Sequence, residues 1–248
     1  MRYISDQAII TRVREFGESD LMVTFFTPDS GRLRGVAKGA LRSRRRFVNC
    51  LDIFSLVNLE YSPARNGDLH FLHSGKLIEA FPGLRSNFAV LSKAAYMVEL
   101  TEILFPWELP DKGIFEMLVK SLHLLDRGEM PDLITRSFEF IAMSHGGFKI
   151  NLERCCRCGR AYTGEGAAVF KPEKGAIACM KCQQITALTP RLSPETVRFI
   201  KMLYDDSPSI FDQPAEVDEK IISEIRPVLK LHREYHLGRE PKTASCME

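Results

Sequence analysis

Residues 31–40 read Gly-Arg-Leu-Arg-Gly-Val-Ala-Lys-Gly-Ala, and this stretch has the two-residue alternation of a β-strand. Successive side chains of a strand point to opposite faces of the sheet, so Arg32, Arg34 and Lys38 are predicted on one face. The small and apolar residues between them are predicted to face a core. The segment therefore indicates a strand that buries one side and presents a row of positive charge on the other.

Four more short segments rich in Ile, Val, Phe, Leu and Thr lie in the same amino-terminal part of the chain. Turn-forming residues separate the segments at 17–20, 28–31 and 63–68. Five short strands in so few residues favour a small closed barrel over a sandwich. The predicted strands cover residues 7–15, 21–27, 32–39, 50–61 and 69–79.

Positive charge is concentrated near this strand, although the whole chain of 248 residues carries only +2. Residues 32–46 hold seven basic residues and no acidic one. Such a concentration favours a polyanion partner, because cations along a strand can follow a single-stranded phosphate backbone. The alternative is a solubilising surface with a mobile basic loop. The candidate DNA-binding residues are Arg32, Arg34, Lys38, Arg42, Arg44, Arg45 and Arg46.

Aromatic residues close to the basic segment are candidates for stacking on bases. Phe25, Phe26 and Phe47 are the available ones. The alternative for each is burial in the barrel core, where most phenylalanines of a small barrel lie.

Beyond residue 81 the apolar period changes from two to 3.6, which predicts helices at 86–105, 111–126, 131–145, 193–204 and 216–236. Ser86 is the predicted N-cap of the first helix, and Pro227 predicts a bend in the last. Short connections between the first three favour a helical bundle. The predicted fold class is α+β. The predicted domains are a barrel at 1–80, a bundle at 81–150, a cysteine-rich module at 151–190, and C-terminal helices at 191–240 that complete the helical domain.

Composition indicates a globular protein, with 45% hydrophobic and 27% charged residues. No run of 18 apolar residues is present, so no membrane span is expected. The first residues lack the pattern of a secretory signal, and we expect a cytoplasmic location. Thiols stay reduced in that compartment, so clustered cysteines point to a metal before disulfides.

Two Cys-x-x-Cys pairs, separated by twenty residues, form the strongest motif of the chain. This spacing is close to that of four-thiolate zinc sites, in which a closed tetrahedron leaves no position for substrate. We therefore expect one structural Zn²⁺, with Cys156 as a bystander. The alternatives are reversible disulfides or a site that no longer holds its ion. The predicted ligands are Cys155, Cys158, Cys179 and Cys182.

Enzyme motifs are absent from the sequence, including the phosphate-binding P-loop and the nucleophile elbow. A zinc deaminase needs His-x-Glu ahead of its cysteines, but His232-Arg233-Glu234 follows them. His232 and His236 are spaced as a possible metal pair, with a solvated helix face as the alternative. We expect no catalytic residue and a protein that is not an enzyme.

The chain resembles the bacterial RecO family of DNA repair proteins over nearly its whole length. Gly-Glu-Ser-Asp at 17–20, the segment at 31–40 and the cysteine frame carry the resemblance. It implies an N-terminal OB-fold barrel, a helical domain and a zinc module inserted into that domain. It also implies a recombination mediator of the RecF pathway, associated with the bacterial nucleoid.

Mediators of this family bind single- and double-stranded DNA, anneal complementary strands and help to load RecA. The implied protein partners are RecR and the acidic, apolar C-terminal tail of the single-strand DNA-binding protein. Lys120, Arg127 and Arg136 are candidates for binding the carboxylate of that tail on the helical domain. Near the zinc module, Lys171, Lys174 and Lys181 are candidates for DNA contact or for a solvated rim.

Two rival hypotheses remain. A zinc-ribbon transcription or interaction factor would also carry the cysteine frame, with sequence-specific duplex binding as its signature. A zinc-dependent enzyme acting on nucleic acid would need an open metal position. Strand annealing without turnover distinguishes the mediator from both.

Overall fold

The computed structural model describes residues 3–63, 69–183, 189–205, 207–212 and 217–246. Two compact units divide the chain, Met1–Gly128 and Glu129–Glu248. The boundary falls inside the helical segment 81–150, so the first two helices cluster with the barrel and the third with the later helices. From residue 64 onward, the turn predicted at 63–68 lies outside the described residues.

A closed five-stranded barrel forms the first part of the amino-terminal unit, as expected for an OB-fold. The strands are β1 (Ile4–Phe16), β2 (Asp20–Thr27), β3 (Gly31–Ala37), β4 (Leu56–Ser62) and β5 (Leu69–Glu79). Their order is β1-β2-β3-β5-β4, and β1 also pairs with β4 to close the barrel. All pairs are antiparallel except that of β3 with β5.

Alternating apolar residues of every strand fill the barrel. Leu33 and Ala37 of β3 lie in this core, as the sequence predicts, together with Phe25 and Tyr61. Gly35 also faces inward, where an added Cβ would lie 2.9 Å from a methyl of Leu72. The alternation therefore places residues 32, 34 and 36 on the outer side of β3, and the exposed Lys38 follows directly after the strand.

Two helices follow the barrel and belong to the same unit, α1 (Phe88–Leu104) and α2 (Lys112–Asp126). The N-cap of α1 is Asn87, whose Oδ1 accepts a hydrogen bond from the Ala89 N–H at 2.9 Å. The prediction of Ser86 was wrong by one residue, because its hydroxyl instead donates to the carbonyl of Gly83. The outward-facing ring of Phe26 on β2 packs against aromatic rings of this helical segment.

The carboxyl-terminal unit combines helices with a small sheet. Its elements are α3 (Pro131–His145), β6 (Ala168–Lys171), β7 (Ala176–Cys179), β8 (Arg191–Leu192), α4 (Pro194–Asp205), α5 (Ser207–Asp212) and α6 (Glu219–His236). The sheet has the order β7-β6-β8. Helix α3 contacts α4, α5 and α6, so the chain between α3 and α4 is an insertion in a helical domain. The short helix α5 was not predicted, and α6 continues through Pro227. Among the described residues, no helix has the length and hydropathy of a membrane span.

Candidate nucleic-acid interface and metal centre

The turn at residues 17–20 holds the start of the basic loop in place. The carboxylate of Asp20 accepts a hydrogen bond from the Gly39 N–H at 2.8 Å, and the Ser19 carbonyl accepts one from Leu41. Gly39 has φ 65°, a left-handed conformation that favours glycine. The motifs at 17–20 and 31–40, two of the three that carry the family resemblance, therefore meet in space, and the first orients the chain where it leaves the second.

The basic loop, residues 42–46, folds back on the end of β3. The Arg46 guanidinium donates to the Lys38 carbonyl at 2.6 Å, and the Arg46 carbonyl accepts from the Gly75 N–H of β5 at 2.8 Å. Among the described residues, the side chains of Arg42, Arg44 and Arg45 make no hydrogen bond or ion pair. The loop and strand thus form one cationic surface, which consists of the exposed residues Arg34, Lys38, Arg42, Arg44, Arg45 and Arg46.

Arg32 differs from the other six candidates because it is only partly exposed. Its guanidinium donates to the main-chain carbonyl of Glu102 near the end of α1, and lies 4.0 Å from the ring centre of Trp107. The buried carboxylate of Glu102 in turn binds Arg12 of β1, with an Nε–Oε2 distance of 2.7 Å. Arg32 therefore fastens the helical segment to the barrel, and we leave it out of the cationic surface.

The three phenylalanines considered for base stacking are buried. Phe25, Phe26 and Phe47 are at most 5% exposed, so burial, the alternative to base stacking, holds for all three. The exposed rings beside the cations are Trp107 and Phe71, which the sequence reasoning missed. Phe71 was detectable as a large apolar residue at an outward position of β5. Trp107 lies between Pro106 and Pro110, outside any predicted element.

Lys76 of β5 adds a further cation that the sequence reasoning did not select. It lines a surface pocket together with Arg45, Arg46 and the carboxylate-bearing Glu60. Glu60 accepts a hydrogen bond from the Ser74 hydroxyl within this pocket. Positive charge thus extends beyond the cationic surface toward β4 and β5, where the carboxylate of Glu60 interrupts it.

The four predicted metal ligands converge at one point of the carboxyl-terminal unit. The sulfur atoms of Cys155, Cys158, Cys179 and Cys182 all lie within 4.8 Å of one another. The Cys158 and Cys179 sulfurs are 3.9 Å apart, and Zn–S bonds of about 2.3 Å place tetrahedral sulfurs about 3.8 Å apart. Four converging thiols fit a metal ion that prefers sulfur ligands.

Backbone geometry prepares the first half of this cluster. Cys155 is buried, which raises the pKa of its thiol, but main-chain N–H groups around the sulfur outweigh burial and lower the pKa to about 6. One of these donors is the Cys179 N–H, 3.3 Å from the Cys155 sulfur. Gly159, at φ 72°, donates its N–H to the Cys155 carbonyl and closes the turn. Cys156 is exposed and lies outside the cluster.

The histidine pair on α6 holds main-chain carbonyls. His232 bonds to the Phe148 carbonyl at 2.7 Å and His236 to that of Pro172 at 2.9 Å. His232 is 1% exposed, so the expected solvated helix face was wrong for it. Neither histidine belongs to a group of three or more metal-ligating side chains within the described segments.

The candidates for binding an acidic tail lie in different environments. Arg136 is buried and forms an ion pair at 3.2 Å with Glu139, which is fully buried. Arg233 of α6 also forms an ion pair with Glu139. The charge of Arg136 is therefore paired with an acidic side chain of its own unit. Lys120 is partly exposed on α2, and Arg127 is exposed at the C-cap of that helix.

The lysines near the cysteine cluster also differ in their surroundings. Lys171 forms an ion pair with Glu173 at 3.2 Å. Lys174 and Lys181 are exposed.

Comparisons with known proteins cover almost the entire sequence. The family models described as Recombination protein O N terminal and Recombination protein O C terminal match residues 1–81 and 85–245. A DNA repair protein RecO from Anaeromyxobacter sp. (strain K) is 32% identical over 235 residues, which is 93% of this chain and 90% of the relative. Another from Dehalococcoides mccartyi (strain CBDB1) is 26% identical over 236 residues, 95% and 91% of the two chains. This chain belongs to the RecO family of DNA repair proteins.

Proposed function

We propose that this chain is a DNA-binding recombination mediator that acts without catalysis. It binds single- and double-stranded DNA, anneals complementary strands and, with RecR, helps to load RecA onto strands coated by single-strand DNA-binding protein. The cationic surface of the barrel is the observation that carries the proposal. Six exposed cations between residues 34 and 46 lie on one strand and the loop folded against it, and the family membership supports DNA as their ligand.

Annealing follows from electrostatics without a catalytic group. Two DNA strands repel each other, and a cationic surface lowers this repulsion while raising the local concentration of both strands. Base pairing supplies the free energy of the reaction, so the proposed mechanism needs no nucleotide hydrolysis. The protein acts by neutralising charge and orienting the strands.

The DNA-binding part of the proposal is tested by replacing Arg44, Arg45 and Arg46 with alanine. For every phosphate that the variant no longer neutralises, the slope of log affinity against log salt should fall by about 0.7 on single-stranded DNA. A matched variant that removes three exposed cations elsewhere, Lys112, Arg191 and Arg239, should keep the wild-type slope. An unchanged slope in the loop variant would exclude the basic loop from the interface.

Annealing of two labelled complementary strands tests the proposed activity. Acceleration in the absence of nucleotide, abolished in the loop variant and kept in the matched variant, supports the mediator. Site-specific duplex binding without acceleration would favour a zinc-ribbon transcription or interaction factor. Chemical alteration of either strand would indicate an enzyme.

The metal of the cysteine cluster is proposed to be zinc. Four thiolates at tetrahedral spacing are a typical structural zinc site, and with all four positions taken by sulfur none is left for substrate. Zinc at Cys155, Cys158, Cys179 and Cys182 would tie the turn at 155–159 to the end of β7. The role of the ion is to hold this insertion in shape.

The proposed partners extend beyond DNA. An acidic tail that ends in a carboxylate needs a cation beside apolar walls, and Lys120 and Arg127 are the remaining candidates for that cation. Fluorescence anisotropy with a labelled tail peptide tests them. Weaker binding by Lys120→Ala or Arg127→Ala, with DNA affinity kept, is expected, and undiminished binding by both would exclude them. We propose a cytoplasmic location in association with DNA.

A further inference from the structure

Two exposed aromatic rings flank the cations on the outer side of β3. Trp107 is 48% exposed and Phe71 is 45% exposed, although both are large apolar side chains. Trp107 lies beside Arg32 and Arg34, with the guanidinium carbons 4.0 and 5.7 Å from its ring centre. At the other end of the strand, the Lys38 ammonium lies 5.3 Å from the ring centre of Phe71.

Trp107 is fixed by its backbone as well as by these cations. Trp107 forms a parallel β-bridge with Arg32, and the Glu108 N–H donates a hydrogen bond to the Arg32 carbonyl at 3.0 Å. The next residue, Leu109, passes so close to Gly31 that a Cβ there would lie 2.3 Å from its carbonyl oxygen. The indole is therefore held in place before any ligand arrives, which lowers the entropic cost of binding to it.

Phe71 is fixed by the barrel itself. It pairs with Val36 in the parallel ladder between β5 and β3, so it lies beside the carboxyl-terminal end of the outer row of β3. Four residues separate position 32, beside Trp107, from position 36, beside Phe71, which is about 13 Å along a strand. Arg34 lies on the same row, and Lys38 follows directly after the strand.

We propose that Trp107 and Phe71 are base-stacking platforms for single-stranded DNA, and that Arg34 and Lys38 bind the phosphates of that strand. The inference rests on the proposed DNA-binding function and assigns the part of the interface that contacts the bases rather than the phosphates. Stacked bases advance about 3.4 Å per step. The two platforms are much farther apart, so they hold bases that are not neighbours in the strand.

Preference for single strands follows from this arrangement. The bases of a duplex are paired and stacked on each other, so their faces are not available to Trp107 and Phe71. Phosphates are available in both forms, so the cations contribute to both. The aromatic pair therefore adds affinity for single strands alone, and that affinity does not depend on counterion release.

The chain contains a single tryptophan, so its intrinsic fluorescence reports on this site directly. Titration of the wild-type protein with an oligothymidine strand should quench the emission, with the same midpoint as binding measured by anisotropy of a labelled strand. A duplex of equal length should bind with much weaker quenching. Binding of the single strand without quenching would overturn the assignment of Trp107.

Variants test the two platforms separately. Phe71→Ala and Trp107→Ala should weaken single-strand binding by about 5- to 100-fold and leave duplex affinity unchanged. The salt slope should stay at its wild-type value, whereas Arg34→Ala should reduce it. Trp107→Phe keeps an aromatic ring and should retain most of the affinity.

Phe88 is the matched control, because it is a 75% exposed phenylalanine of the same unit but lies in α1 rather than in the barrel. Phe88→Ala should bind DNA as the wild type does. Thermal unfolding identifies any variant that fails to fold, and Phe71→Ala then decides the outcome without Trp107. Equal losses of affinity on single and double strands would overturn the inference while leaving DNA binding intact. A wild-type protein that binds no DNA would overturn the proposed function as well.

Discussion

The guanidinium of Arg32 lies 4.0 Å from the ring centre of Trp107, while the next outward residue of the strand, Arg34, remains exposed. Two arginines that the sequence pattern treats as equivalent therefore have different surroundings. One is bonded to the end of α1 and to the Trp107 segment, and the other faces solvent.

This difference predicts opposite phenotypes for the two alanine variants. Arg32→Ala removes a cation–π interaction and a hydrogen bond, so the free energy of unfolding should fall by about 1–2 kcal/mol in urea titrations. Arg34→Ala should change stability by less than about 0.5 kcal/mol but reduce the salt slope of DNA binding. Equal destabilisation by the two substitutions would contradict the distinct roles.

At Gly31, the segment that carries Trp107 and Leu109 passes close to the backbone of β3. Gly31→Ala should be strongly destabilising, because the residue has φ 70° and its new Cβ would lie 2.3 Å from the Leu109 carbonyl oxygen. Gly17→Ala is the control, since Gly17 has φ 69° and open space around it. The difference between the two variants in thermal unfolding measures the close approach alone. Identical midpoints would show that the approach is unimportant.

The cysteine cluster predicts a metal-dependent fold for its part of the chain. Cys179→Ser removes one of four converging sulfurs, so bound zinc, measured by mass spectrometry of the purified protein, and the thermal midpoint should both fall. Cys156→Ser is the matched control, because that thiol is exposed and outside the cluster. Unchanged melting of Cys179→Ser would remove the structural role.

Burial of His232 predicts a loss of stability in mild acid. Burial lowers the pKa of His232 to about 4, against the opposing effect of the Phe148 carbonyl, and the neighbouring His236 lowers it while Glu139 raises it. Between about pH 6.5 and 4 the unfolded chain takes up a proton that the folded chain does not. This histidine should therefore subtract up to about 1.4 kcal/mol of stability per pH unit as the pH falls through that range.

His232→Gln should flatten the dependence of unfolding free energy on pH over this interval. The amide can still donate to the Phe148 carbonyl, so the variant should fold. His145→Gln replaces an exposed histidine of the same unit and should leave the dependence as in the wild type. A steep dependence that persists in His232→Gln would place its origin in other groups.

Local pattern was sufficient for most of the secondary structure. Alternation predicted a strand at 32–39, which the structure has at Gly31–Ala37, and period 3.6 predicted a helix at 131–145, which the structure has at Pro131–His145. Asp111 and Asn87 cap their helices with side-chain oxygens, yet Ser86, one residue before Asn87, was the N-cap predicted for α1. The error arose because both residue types are good caps and only the path of the preceding turn distinguishes them.

The burial of individual side chains was predicted less well than the secondary structure. Phe25 and Phe26 are neighbours on β2 with opposite orientations, and both are buried, one inside the barrel and one beneath aromatic rings of the following segment. Pattern alone gave no sign that a later segment covers the outer face at Phe26. The same covering buries part of Arg32 and brings Trp107 to the edge of the cationic surface.

Properties that depend on spacing along the chain follow from the sequence alone. These are the alternation that makes β3 two-faced, the unbroken positive charge of residues 32–46, and the two Cys-x-x-Cys turns that aim sulfurs at one point. Which of the cations face solvent, and which rings lie beside them, became evident only from the three-dimensional fold. Burial depends on residues distant in sequence, such as Glu102 and Leu109, and no local pattern encodes where their segments pass.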